Sequence, residues 1–180
     1  MIRPNAEQLI ALLGLQPLPV EGGLFRQSWR SPVTVLAHGQ PHPLGTATLA
    51  LLTDAPDSFS AMHRLPTDEL WHFYLGDPIA LLLLMPGEQG SSRGVRHITL
   101  GQDLLAGHCV QALIPAGTWM GAKLKQGGSY GLFGNTMAPG FLEVDYEGGD
   151  TDLARQYPEA AAEILDLLRT GSSQLRMDQR

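Results

Sequence analysis

Residues 60–76, SAMHRLPTDELWHFYLG, hold two histidines, a glutamate and three aromatic residues in one strand-like run and the turn that feeds it. His63 precedes the turn-forming Leu65-Pro66-Thr67-Asp68. Glu69 then opens a run of strand-favouring residues that Gly76-Asp77-Pro78 ends. Polar groups on such an apolar strand are costly to bury unless each finds a partner. A functional site is therefore sought here first.

Working outward, the chain reads as a series of short strands. They are expected at 48–52, 58–62, 69–75, 79–85, 95–100, 110–114, 118–124, 129–136 and 141–146. Gly or Pro separates nearly all of them, in keeping with 21 Gly and 13 Pro in 180 residues. Strands at short spacing without intervening helices imply an antiparallel sandwich or barrel, not a βαβ fold. Before them, Asn5 can cap a helix over 6–13 whose apolar stripe is Leu9, Ile10, Leu12 and Leu13, with Gly14 ending it. Residues 24–30 alternate as a strand, on which Arg26 or Arg30 is a candidate for holding an anionic ligand group. Residues 38–45 read as a loop. After Gly148-Gly149 a helical region interrupted at Tyr157-Pro158 resumes over 159–168, and 171–180 reads as a loosely held tail. One domain over 1–170 is expected.

Composition narrows the function. The hydrophobic fraction, 43%, supports a sizeable core, and no apolar run reaches the length of a membrane span. The N-terminus, MIRPNAEQLIALLGLQPLP, reads as an amphipathic helix rather than a signal peptide, so a cytoplasmic protein is expected. The single cysteine, Cys109, excludes a disulfide framework and reads as a small buried hydrophobe. A formal charge of −6 without a Lys/Arg cluster argues against nucleic acid and gives no reason to expect an anionic membrane as partner.

His63, Glu69 and Gly76 resemble the first motif of the cupin superfamily, in which two histidines one residue apart are followed by a glutamate and a glycine. Leu65 stands where the second histidine belongs. Pro115-Ala116-Gly117-Thr118-Trp119-Met120 resembles the second motif, with Met120 in the place of its histidine. More closely, EGGLFRQSWRS, MHRLPTDELWHFYLGDP, IPAGTWM and APGFLEVDYE are similar to the DUF985 or cupin-5 family, in order from Glu21 to Glu147. The resemblance implies an all-β double-stranded β-helix, the cupin jelly-roll barrel, with an N-terminal helix and a C-terminal helical region. It implies a homodimer, for which we expect swapping or pairing of the 24–30 strand. A more distant likeness is to the sugar-nucleotide 3,5-epimerases, whose substrate-contacting strand is matched by Gly23 and Phe25 but not by Gly22 or Gln27.

Two of the four usual cupin metal ligands remain, His63 and Glu69. In a regular strand Glu69, Trp71 and Phe73 face one way and His72 the other, so only a bulge would add His72 to the set. Met120 is a soft thioether, a poor ligand for most divalent metals. No cofactor is expected, with a divalent metal at His63/Glu69 kept as a second alternative. The leading expectation is metal-free acid–base chemistry of the isomerase or epimerase type. By resemblance to the epimerases His63 is the base, with Glu69 or Asp145 as the carboxylate that orients it. A tyrosine acid is missing from Asn135-Thr136-Met137-Ala138-Pro139-Gly140, and Tyr74 and Tyr130 are substitutes only if they face inward. Arg26, His72, Tyr74, Trp119 and Met120 complete the candidate ligand-binding set, around a small polar, carbohydrate-like or carbonyl-bearing molecule. The rival reading is a non-catalytic binding or structural module, in which His63 and Glu69 merely satisfy each other. His38, His42, His97 and His108 read as solvated.

Overall fold

The computed structural model describes residues 3–87 and 94–171. Asn5 caps helix α1 (Ala6–Leu13) in a capping box: its side chain accepts from the Gln8 amide while the Gln8 side chain accepts from the Asn5 amide. Gly14 closes the helix in the left-handed conformation. The strands follow as β1 (Gln16–Pro17), β2 (Leu24–Arg30), β3 (Thr34–Ala37), β4 (Gln40–Pro43), β5 (Thr46–Thr53), β6 (Phe59–Arg64), β7 (Glu69–Gly76), β8 (Ile79–Met85), β9 (Gly94–Leu100), β10 (Gln111–Ile114), β11 (Trp119–Leu124), β12 (Tyr130–Met137) and β13 (Glu147–Gly148). Two short helices close the described chain, α2 (Asp152–Gln156) and α3 (Ala161–Asp166). A C-terminal tail was expected at 171–180, and residues 172–180 of it lie outside the described residues.

Two antiparallel sheets face each other. One runs β1-β2-β5-β12-β7-β10 and the other β13-β6-β11-β8-β9. Side-chain alternation assigns each strand an inner and an outer face, and three separate apolar clusters show why. Inside, Leu52, Trp71, Phe73, Leu81, Leu83, Met120 and Phe133 pack between the sheets. Outside the first sheet, Leu51, Tyr130 and Leu132 pack under Leu9 and Leu15. Outside the second, Met62, Leu82 and Leu84 pack under Leu153, Tyr157, Ile164 and Leu167. This is why β8 is a continuous apolar run, since both of its faces are covered. On α1 the buried face is narrower than the apolar stripe suggests, and Leu12 is 77% exposed.

Two expected elements differ. Residues 38–45 are not a plain loop: β3 and β4 pair as a hairpin whose central His38 and Gly39 both have positive φ, the conformation a two-residue type I′ turn demands. The strand expected at 141–146 is a 3₁₀ turn at Glu143–Asp145 followed by the two-residue β13, because Tyr146 turns into the core. Hairpin, turn and loops all gather at one end of the barrel. Gly117 N–H donates to the Leu65 carbonyl, Ala116 N–H to the Asp68 carboxylate, and Gly140 N–H to the Pro43 carbonyl. That end is closed.

The loop entering β2 is tighter still. Gly22 has φ +103°, and a Cβ there would lie 2.2 Å from the Phe59 carbonyl oxygen. Gly39 has φ +79° with nothing near its missing Cβ. In urea denaturation Gly39→Ala should therefore lose about 1–2 kcal/mol from its backbone alone, and Gly22→Ala about 3–5 kcal/mol because strain and collision add. Equal losses would contradict this packing.

Candidate functional site

The site begins with a bulge. Met120 pairs with His63 and Ala122 with Ser60, so β6 carries one residue more than β11 over this interval. Simple alternation would put Ser60 and His63 on opposite faces. With the bulge both lie beside the inward-facing Met120 and Ala122, while Met62 packs outward under the C-terminal helices. His63 Nδ1–H donates to the Ala61 carbonyl at 2.7 Å. Its other nitrogen, Nε2, lies 3.9 Å from Glu21 Oε1. That oxygen accepts from the Ser60 hydroxyl at 2.6 Å, and the Glu21 carbonyl accepts from Ala61 N–H at 2.8 Å. The Tyr146 ring stacks on the imidazole, centroids 5.2 Å apart and planes 12° from parallel.

Glu69 enters from the facing sheet, 2% exposed. Asn135 donates its amide N–H to Glu69 Oε1, and Thr48 Oγ1–H donates to Asn135 Oδ1. Burial pushes the Glu69 carboxyl up to about 7. His63 acts against that rise, as do the Trp71 indole and the Asn135 amide, and Glu21 adds to it. The indole leans toward the carboxylate without closing to hydrogen-bond geometry. Glu69 Oε2, Trp71 Nε1, Thr118 Oγ1 and the Tyr146 hydroxyl are all buried without a hydrogen-bond partner among the described residues. Burial, with the Glu21 charge, also raises the Tyr146 phenol well above its ordinary value, so it stays a neutral donor.

His63 and Glu69 thus meet inside the barrel by electrostatic coupling, while the carboxylate at ion-pair distance from His63 is Glu21. Asp145 does not orient His63. Its Oδ2 lies 2.7 Å from His42 Nε2, in a pair whose side chains are 2% and 0% exposed. Nor is His42 solvated, because the side chain is fully buried and its Nδ1 lies 3.0 Å from the Gln40 carbonyl. His38 Nε2 contacts Thr67 Oγ1 at 2.9 Å, so these two histidines fasten the hairpin to the closed end.

Other expected ligand contacts lie elsewhere. Arg26 pairs with the outward Leu49 and approaches Gly14 at the end of α1, outside the barrel. His72 and Tyr74 face outward from β7. His72 Nε2 contacts Thr136 Oγ1 at 3.0 Å, and Tyr74 is 41% exposed. The β7 register shift falls between Phe73 and Leu75, past His72, and cannot turn it inward. Trp119 also faces outward, under the Arg64 guanidinium at 4.7 Å from its ring centre. Met120 alone of this set lies inside, and it is core. Tyr130 faces outward, its hydroxyl donating to the Pro4 carbonyl.

Sequence reasoning missed Glu21, Ser60, Asn135 and Tyr146 as site residues. Glu21 had a signal in the Gly22-Gly23 that follows it; the bulge that turns Ser60 inward had none. For the metal a cupin barrel implies, the donors do not fit. Leu65 and Met120, at two of the usual ligand positions, are packed into the apolar core. No group of three or more His, Cys, Asp or Glu is placed to hold an ion among the described residues.

Two antiparallel sheets closed into a barrel around an inward His/Glu wall define the cupin class. Comparison with known proteins agrees. A cupin superfamily (DUF985) family model matches residues 7–148, and the chain belongs to that family. A hypothetical protein from Leishmania major is 28% identical over 92% of this chain and 99% of its own, with a TM-score of 0.82. A Shewanella oneidensis protein is 32% identical over 93% and 99%, with a TM-score of 0.79. A dTDP sugar isomerase from Desulfovibrio desulfuricans shares the fold at 21% identity, covering 82% of this chain and 95% of its own, with a TM-score of 0.53. No curated protein matches. Among the described residues no helix is long and apolar enough to cross a membrane.

The Glu69 environment has a thermodynamic signature. Its folded pKa lies above the unfolded carboxyl value, so its contribution to stability is complete in acid and is lost as pH rises through about 7. Glu69→Gln should flatten that slope, and denaturation curves at pH 5 and pH 8 should show wild type losing on the order of 2–3 kcal/mol relative to the variant. Parallel profiles would show that the carboxyl is not buried as described.

Proposed function

We propose that this cupin binds a small polar molecule, carbohydrate-like or carbonyl-bearing, in its barrel and acts on it by acid–base chemistry of the isomerase or epimerase type. One observation carries the reading: the Ala61 carbonyl holds His63 Nδ1–H, which leaves the Nε2 lone pair aimed at the interior beside Glu21. In this reading Nε2 removes a proton from carbon next to a carbonyl, and Glu21 stabilises the imidazolium that forms. Tyr146 replaces the tyrosine acid that residues 135–140 lack, since its neutral hydroxyl is buried, unpartnered and stacked against the base. The dTDP sugar isomerase lends the fold alone. Homodimerisation belongs to the same proposal, and a monomer by light scattering would remove it.

A thermal-shift screen over sugar nucleotides, keto acids and simple sugars tests the reading. A true ligand at about 100 times its dissociation constant stabilises by about 2.7 kcal/mol. The shift should vanish in His63→Ala while the circular dichroism spectrum is unchanged. A shift that survives the substitution would move binding off the barrel wall and leave a non-catalytic module.

A further inference from the structure

Three inward residues lie in register across adjacent strands of the first sheet, and a fourth, Glu69, stands diagonally beyond them, two residues along β7 from Asn135's partner Trp71. Gln27 of β2 pairs with Thr48 of β5, and Thr48 pairs with Asn135 of β12. Asn135 donates to Glu69 of β7. Exposure falls steadily along the row: Gln27 is open to solvent, Thr48 and Asn135 are half-buried, and Glu69 is closed off. On the same inner face Phe25 lies opposite Ala50, which packs against the core. The inner face of the first sheet is therefore open to solvent at β2 and closed off at Glu69.

We infer that Gln27, Thr48 and Asn135 form a binding track that leads an uncharged, polyhydroxylated ligand from the β2 edge to Glu69. The inference rests on the barrel site proposed above and names its ligand class and entrance. The hydrogen-bond chain is directional. Thr48 donates to Asn135 Oδ1, which orients the Asn135 amide to donate to Glu69 Oε1. What remains for a ligand is one Asn135 N–H, the Gln27 amide and the buried, unpartnered Glu69 Oε2. Hydroxyl groups, which both donate and accept, match that mixed set, and a Phe25 ring beside it suits the C–H face of a sugar. Charge selects against phosphate. The inner row holds no cation, its buried end is Glu69, and Glu21 stands across the barrel. Arg30, the next cation on the inner side of β2, lies past the row, opposite Thr46.

Side-chain amide resonances of Gln27 and Asn135 in ¹⁵N-labelled full-length protein report directly on the track. The probes are D-glucose, D-mannose, D-ribose and sorbitol, with dTDP-glucose as the charged comparison. At least one neutral probe should shift both amides saturably, and Gln27→Ala, at an exposed position, should weaken its binding about three- to tenfold. No movement with any neutral probe, movement with dTDP-glucose alone, or affinity indifferent to both Gln27→Ala and Thr48→Val would each overturn the inference. Shifts that persist in His63→Ala would uphold the track and remove the acid–base reading. Binding lost in His63→Ala but unchanged in Gln27→Ala would do the reverse.

Discussion

A single backbone contact organises the interior of this barrel: the Ala61 carbonyl accepting from His63 Nδ1 across the β6 bulge. Without the extra residue in β6, Ser60 and His63 would lie on opposite faces of the sheet. With it, both enter the space that Glu21 reaches from the β1–β2 loop, and Glu21 is fastened to the same strand through Ala61 and Ser60. The imidazole is thereby held on one nitrogen, with the other turned toward Glu21. Tyr146 then stacks on a ring that cannot rotate away.

The second constraint is electrostatic. Glu69, held by Asn135 and coupled to both His63 and Glu21, carries a buried carboxyl that resists ionisation in its apolar setting. A core assembled only for stability would tolerate few unpartnered buried polar atoms, since each costs free energy when stranded. Here Glu69 Oε2, Trp71 Nε1, Thr118 Oγ1 and the Tyr146 hydroxyl are concentrated around one end of one barrel. The contrast with His42 and Asp145 is instructive. That buried pair is in direct contact at 2.7 Å, with His42 also held by the Gln40 carbonyl, and it sits at the hairpin, where it fastens the closed end.

Much of the architecture was legible in the sequence because period and punctuation carry it. Glu69 to Phe73 alternate as expected, and that alternation correctly separates Trp71 from His72. The apolar run of β8 announces a strand covered on both sides. What stayed illegible was the part that breaks period. The β6 bulge and the 3₁₀ turn at Glu143–Asp145 are register events decided by tertiary packing, and they redirect Ser60, Asp145 and Tyr146. The I′ hairpin at His38-Gly39 was hidden because His at positive φ is an uncommon choice. The outward facing of Trp119 and Arg26 follows from alternation within β11 and β2, but only once the inner face of each is known.

The tautomer of His63 tests the organising contact most directly. Long-range ¹H–¹⁵N correlation spectra of histidine-labelled protein distinguish a protonated ring nitrogen from one bearing a lone pair. The contact with Ala61 predicts that in the neutral ring Nδ1 carries the hydrogen and Nε2 the lone pair. A neutral His63 with its hydrogen on Nε2 would contradict it, because the Ala61 contact would then be broken.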